Sequence, residues 1–350
     1  MKIHIGKNLL SKIEKIINLD QFSNITILTD ENVAKHWLPI IKKSIRRQTS
    51  EIIINPSEKE KNIETVKKIW EKMFEMGLDR KSLLINLGGG VICDIGGFAV
   101  STFMRGIDFI NVPTTLLSQV DASVGGKTGI NFMNIKNGIG VFNSPLGVVI
   151  DVDTLRTLPK RELISAFGEI IKHGVISGRE HFNFVISKKP ENFNQEELIR
   201  IIKKSIKIKS NIVKKDPDEI GLRKVLNFGH TIGHAIESLS WKTDKPLLHG
   251  EAVAIGMIAE SHLAFLCHPI LTSEVRINLA GQIKEVVVKA GLPTKIENIK
   301  TEDILKMILS DKKNLSGKVN WSLPKRIGKV LINVEVPSDL VIKAIESIII

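Results

Sequence analysis

Residues 221–237, GLRKVLNFGHTIGHAIE, gather polar side chains that can do chemistry. Taking about 100° per residue with His230 at zero, Arg223 falls at about 20°, His234 at about 40° and Asn227 at about 60°. If one helix runs that far, four polar side chains share a narrow stripe, with Ile232, Ala235 and Ile236 elsewhere. A solvated face explains this poorly. Histidines four apart bind one metal, or divide the work between a metal and a proton. His249 follows in LLHGEAVAIGM, at the mouth of an apolar helix, and Glu169 stands in AFGEIIKHGV with Lys172 and His173 close behind. Two imidazoles and one carboxylate with coordination positions to spare make a catalytic zinc constellation. Spacing leaves open which of Glu169, His173, His230, His234 and His249 are the ligands. His173, four after Glu169, is the one most easily mistaken for one.

A lysine stands out by the same arithmetic. In ELIRIIKKSIKIKSNIVKK, Arg200, Lys203, Lys204, Lys207, Lys214 and Lys215 share one helical face, and Ile199, Ile202, Ile206 and Val213 the opposite one. Lys209 lies within the apolar face, about 20° from Ile202. An ammonium placed there needs an anionic partner, and a substrate would serve.

Glycine-rich turns mark a second kind of chemistry. The apolar run SLLIN leads into LGGGVICDIGGF, and three glycines between a strand and a helix let backbone N–H groups approach a phosphate. Asp30, Thr114 and Thr115 also end apolar runs. Gly125, Gly126, Lys127 and Thr128 resemble half of a P-loop but lack its first glycine, which disfavours a P-loop NTPase. Lys127 and Lys136 beside such turns suit an anion.

These residues need a scaffold. Strands are expected at 24–30, 50–56, 82–90, 108–115 and 146–153, with amphipathic helices between the first three. Continuous apolar strands alternating with helices predict a parallel sheet covered on both faces, with ligands at the carboxyl ends of the strands. After about 158 the pattern is helical to about 310, then GKVNWSLPKRIGKVLINVEVP holds a hairpin before a closing helix. The expected organisation is an α/β domain over 1–157 and a mainly helical domain over 158–350, with the active site in the cleft between them.

Composition sets outer bounds. The 350 residues are 43% hydrophobic and 25% charged, with 26 Gly and 12 Pro, which excludes collagen-like and disordered classes. Cys93 and Cys267 form no disulfide framework, and no run of about 18 apolar residues occurs. A cytoplasmic protein without membrane attachment is expected. The net charge of +12 raises nucleic acid as a partner, but Lys and Arg are scattered, aromatics are 5% and Tyr is absent. A stacking platform is poorly supplied, and no nucleic acid is expected.

The motifs GGGVICDIGGFAVSTFMRG, VPTTLLSQVDASVGGKTGIN, IKNGIG, TLPKRELISAFGEIIKHG, GLRKVLNFGHTIGHAIE and HGEAVAIGM occur in this order. On them the chain resembles the 3-dehydroquinate synthases of the shikimate pathway, from about position 30 to about 315. The resemblance implies a Rossmann-like NAD-binding domain plus a helical metal- and substrate-binding domain. It implies NAD across Asp30, Asn32, Glu58, Lys61, Gly90, Val91, Ile92, Cys93, Asp94, Thr114, Thr115, Asp121, Lys127, Lys136, Thr154, Leu155, Arg156 and Thr157. It implies one divalent metal, zinc or cobalt, on Glu169, His230 and His249, which sets His173 and His234 aside as ligands. The substrate 3-deoxy-D-arabino-heptulosonate 7-phosphate (DAHP) is implied to meet Arg105, Lys127, Asn137, Lys172, Lys209, Arg223, Asn227, His234 and Lys312. Transient oxidation, phosphate elimination, re-reduction and intramolecular aldol closure are the implied reaction, a carbon–oxygen lyase outcome. A homodimer is the implied assembly.

Three positions depart from the family pattern: Cys93 and Ser57 replace glycines, and NFMNIKN replaces a more typical turn. Rival readings are another sugar phosphate cyclase and a metal-dependent alcohol dehydrogenase of the glycerol dehydrogenase type. Lys127, Lys209 and Arg223 together favour a substrate that carries a carboxylate.

Overall fold

Short runs in the first part of the chain become the strands of one parallel sheet. They are β1 (Lys2–Gly6), β2 (Ile25–Asp30), β3 (Ser50–Ile54), β4 (Leu83–Gly88), β5 (Asp108–Pro113) and β8 (Gly147–Asp151), in sheet order β1-β8-β5-β4-β2-β3. Helices α1 (Ile13–Ile16), α2 (Glu31–Ser44), α3 (Ile63–Glu75) and α4 (Gly90–Thr102) accompany them. One apolar layer gathers Leu10, Ile27, Ile41, Ile85 and Val112, the other Leu28, Val66, Leu84, Ile95 and Phe109. Burial on both faces is why β2, β4, β5 and β8 lack polar alternation, whereas the edge strands β1 and β3 are only partly buried. A hairpin, β6 (Lys127–Phe132) and β7 (Ile135–Phe142), stands apart from this sheet.

The computed structural model describes residues 1–133, 135–267, 273–309 and 319–350. It divides into Met1–Pro159 with Asn194–Lys203, and Lys160–Phe193 with Lys204–Ile350. The second unit carries α5 (Lys160–Ser177), α6 (Arg179–Val185), α8 (His230–Ser240), α9 (His249–Cys267), α10 (Ser273–Lys289), α11 (Thr301–Leu309), the hairpin β9 (Trp321–Arg326) and β10 (Lys329–Val334), and α12 (Ser338–Glu346). Helix α7 (Gln195–Lys215) is shared, divided after Lys203. Helix α9 is the axis of this unit, packed by α5, α8, α10, α12 and β9. It is long and apolar enough to cross a membrane, yet 78% of that apolar window is buried inside the protein.

One strand goes beyond the sequence expectations, and two expectations need correction. MKIHIG forms the edge strand β1, paired with β8 from Lys2↔Gly147 to Gly6↔Asp151. Lys127 and Thr128 open a hairpin strand instead of continuing a glycine-rich turn. No single helix runs from Arg223 to His234. Residues Leu222–Asn227 form a short 3-10 turn, and Gly229 at φ +79° separates it from α8.

Candidate functional site

In the first unit the expected nucleotide residues cluster at the carboxyl ends of the strands. Asp30 ends β2 and its Oδ1 caps α2, accepting from the N–H groups of Asn32 and Val33 at 3.0 Å each. Burial raises the Asp30 carboxyl above its ordinary range, against these N–H groups. The N-terminus of α4, with Gly90 and Val91, carries no side-chain cap, so its first N–H groups are available to an anion. Ile92 and Cys93 in the same turn are buried. Cys93 therefore adds no bulk at the surface of the loop, and burial pushes its thiol up.

Lys61 is buried, and its ammonium lies 2.5 Å from both Asp94 Oδ2 and Asn137 Oδ1. Asn131 completes this network, donating to Glu58 at 3.0 Å and accepting from the Asn137 N–H at 2.9 Å. Ser57 is extended at φ −156° and caps the turn beyond it, so no glycine is required there. Thr114 is buried, and the Thr115 hydroxyl pairs with Ser118 at 2.8 Å. Thr154 and Leu155 are buried, Arg156 pairs with Asp153 at 2.6 Å, and the Thr157 hydroxyl accepts from Trp37 at 2.9 Å. Asp121 is half-buried in the turn Ser118–Ala122, and Lys136 is half-buried on β7. Arg105, at φ +71°, and Lys127 are exposed.

In the second unit three helices bring one carboxylate and two imidazoles together. Glu169 on α5, His230 opening α8 and His249 opening α9 offer ligand atoms that all lie within 4.8 Å of one another. Nε2 of His230 is 3.1 Å and Nε2 of His249 is 3.4 Å from Glu169 Oε1. Donors about 2.1 Å from a tetrahedral zinc stand about 3.4 Å apart.

The tautomers strengthen that fit. Nδ1 of His230 faces the Phe228 carbonyl at 3.1 Å, and Nδ1 of His249 faces Glu237 Oε2 at 3.0 Å. Both partners are acceptors, so each Nδ1 carries the proton and each Nε2 presents a lone pair. Burial, reinforced by Lys172, lowers the His230 pKa to about 4 despite Glu169, which keeps that ring neutral. Oε1 of Glu169, which faces both rings, is buried without a hydrogen bond of regular geometry. Lone pairs facing lone pairs at this range repel unless a cation lies among them. The three residues fit a divalent metal.

Lys172 adds fixed charge beside them. It is 2% exposed, with its ammonium 2.5 Å from Glu169 Oε2. Burial pushes the Glu169 carboxyl up, but the Lys172 ammonium outweighs it and holds the acid well below the usual carboxylate range.

Each ligand adjoins a glycine where helices touch. A Cβ on Gly168 would stand 2.1 Å from the Gly250 carbonyl, and one on Gly250 only 1.8 Å from the Ser165 carbonyl. One on Gly229, before His230, would meet Met257 Cγ at 2.6 Å. Backbone contact between α5, α8 and α9 sets the ligand spacing.

The remaining expected residues are arranged differently. His234 is close, its ring 5.0 Å from that of His230 and 5.8 Å from that of His249, and it forms an overlapping donor group with Glu237 and His249. Arg223 is buried and donates to the Pro217 carbonyl at 2.5 Å, while Asn227 donates to Glu219 at 2.8 Å. His173 is fully buried one turn beyond Glu169. Lys209 is half-buried, whereas Lys207 is exposed, so the apolar stripe around Lys209 is less enclosed than the helical wheel implies. Lys312 lies outside the described residues.

Sequence reasoning missed Glu219, Glu237 and Glu260. Glu237 falls at about −20° on the wheel that placed His230 and His234, so the signal was present. Glu260 is buried on α9 and accepts from the Gly229 N–H at 2.6 Å and the Ile232 N–H at 3.1 Å. Burial pushes its carboxyl up, against the N–H groups of Gly229, Ile232 and Thr231, but both oxygens accept from backbone N–H groups, which is the arrangement of the ionised carboxylate.

The family model for the 3-dehydroquinate synthase N-terminal domain matches residues 51–165, and that for the C-terminal domain matches 166–314. A 3-dehydroquinate synthase from Alkaliphilus metalliredigens is 44% identical over 341 residues, 97% of this chain and 93% of that protein. Among solved structures, a 2-deoxy-scyllo-inosose synthase complexed with carbaglucose-6-phosphate, NAD+ and Co2+ aligns with a TM-score of 0.88 at 23% identity, covering 99% of this chain and 96% of its own. A 2-epi-5-epi-valiolone synthase from Streptomyces hygroscopicus with NAD+ and Zn2+ bound aligns with a TM-score of 0.88 at 24% identity and the same coverage. The structures establish a shared fold, and the family match extends through both halves of the sequence: the chain belongs to the 3-dehydroquinate synthase family.

Proposed function

We propose that this protein converts DAHP to 3-dehydroquinate and phosphate, the cyclisation step of the shikimate pathway, with NAD and one divalent metal, zinc or cobalt, as cofactors. The observation that carries this reading is the convergence of Glu169, His230 and His249 beside the buried ammonium of Lys172. When bound, NAD supplies a hydride acceptor that is regenerated within the cycle, and the metal polarises the reacting oxygen.

The chain's own residues do the rest. N–H groups at the start of α4 are assigned to the NAD pyrophosphate, and Asp30, its Oδ1 committed to the α2 cap, offers its other oxygen to ribose hydroxyls. Glu169, His230 and His249 hold the metal. Lys172, Lys209 and Arg223, with Arg105 and Lys127, are assigned to the anionic groups of the substrate through charge-assisted hydrogen bonds. Asn137, Asn227 and His234 are assigned to orient its hydroxyls. Lys312 completes the cationic set from the sequence pattern.

Oxidation at C5 acidifies the C6 proton. Its loss lets the C7–O bond break, with phosphate leaving on the bonding electron pair. Returning the hydride, opening the ring and closing the carbocycle by aldol addition consume no NAD. Phosphate release from DAHP should therefore run for many turnovers per NAD with no net NADH absorbance. Stoichiometric NADH would support the alcohol dehydrogenase reading, and release from other sugar phosphates but not DAHP would support another cyclase.

A cytoplasmic homodimer is the assembly we assign. The hairpin β6–β7 supports it, exposing Phe132, Ile135, Ile139 and Phe142 by 40% or more. A monomer in light scattering at micromolar concentration would overturn it.

A further inference from the structure

Helix α8 begins at His230 with no cap of its own. Its cap position is Gly229, which has no side chain to accept a hydrogen bond and sits at φ +79°. A serine or aspartate there would be strained, and its Cβ would meet Met257 and the Val253 carbonyl on α9. By contrast α2 and α3 are capped by their own Asp30 and Asn62. The first N–H groups of any helix need an acceptor when buried.

Glu260 provides it from another helix. Its carboxylate, 0% exposed, takes the Gly229 N–H on Oε2 and the Ile232 N–H on Oε1, bracketing His230 on both sides. The His230 ring is fixed separately, by Nδ1 against the Phe228 carbonyl. Backbone and ring are thus both held by protein groups, through atoms other than the ligand atom Nε2. Glu260 also lies about three turns along the helix that His249 opens. One helix therefore presents its own imidazole and holds the turn that presents the other.

We infer that Glu260 is a positioning residue of the metal centre, whose buried carboxylate fixes the turn 228–232 so that Nε2 of His230 is preset toward Glu169. This rests on the assignment of a metal to Glu169, His230 and His249. Outer partners that orient metal ligands typically contribute a factor of about 10–100 in affinity.

Zinc affinity of the metal-free protein, measured by competition with a chelator, tests it in the parent and in Glu260→Gln. The glutamine keeps the shape but offers one acceptor and one N–H2, which faces a backbone donor. The expected result is zinc bound about 10–100-fold more weakly by the variant, with NAD affinity unchanged within about twofold. Equal zinc affinity in a folded variant would overturn the inference and leave Glu260 as an ordinary helix cap. A parent that binds no zinc would overturn the metal assignment itself. Amide exchange in the metal-free parent needs no variant: Gly229 and Ile232 should already be protected. If they exchange freely there and gain protection only with zinc, the turn is not preset and the inference fails.

Discussion

Glu237 accepts a hydrogen bond from Nδ1 of His249 across 3.0 Å, which turns the Nε2 lone pair of the same ring toward Glu169. A carboxylate behind a histidine fixes its tautomer and raises its basicity as a ligand. Glu237→Gln retains an acceptor without the charge and should weaken zinc binding about tenfold. Glu237→Ala should weaken it about 100-fold. Chelator competition on metal-free protein measures both, and parental affinity in the alanine variant would refute the role.

The ligand set makes a sharper claim. His230→Ala should lose bound metal and turnover together, whereas His173→Ala, one turn beyond Glu169, should keep its metal while losing roughly 1–3 kcal/mol of stability from a buried position. Elemental analysis after dialysis decides. Full metal stoichiometry in His230→Ala would exclude the assignment.

Backbone contact between α5 and α9 predicts a glycine asymmetry. Gly250→Ala places a methyl group against the Ser165 carbonyl and should cost about 3 kcal/mol, with metal lost alongside. Gly281→Ala, mid-helix in α10 with nothing within 4 Å of its added Cβ, should gain about 0.4–1 kcal/mol. Thermal melts of the two variants should move in opposite directions.

Lys209 and Lys207 form a matched pair on α7, one half-buried and one exposed. Lys209→Met keeps the apolar stem and removes the charge. Its melting temperature should hold while kcat/KM falls by roughly one to two orders of magnitude, the loss of a charge-assisted hydrogen bond to substrate. Lys207→Met should leave both unchanged. Similar behaviour of the two would return Lys209 to the ordinary surface.

Legibility followed how local each interaction is. Strands β2, β4, β5 and β8 were readable because burial on both faces makes them unbroken apolar runs. Strand β1 was not, because five residues become a strand only by pairing with Gly147–Asp151, far along the chain. The helical wheel found His230 and His234 together, but Gly229 ends its reach at Arg223 and Asn227. A glycine beside a histidine inside a proposed helix was the available warning. Glu260 left no trace in periodicity, since it serves backbone N–H groups of another helix.

Helix α9 also constrains how the chain reaches its fold. So apolar a segment has no face that water stabilises, and its cover comes from α5 and α8 before it and from α10, α12 and β9 after it. During synthesis it must wait for α12, about 80 residues later, roughly 4–16 s at about 5–20 residues per second. Throughout that interval it is a sticky nascent surface, a natural client for a chaperone. Any chain stopping short of Ser338 would keep the α12-facing part of that surface permanently uncovered.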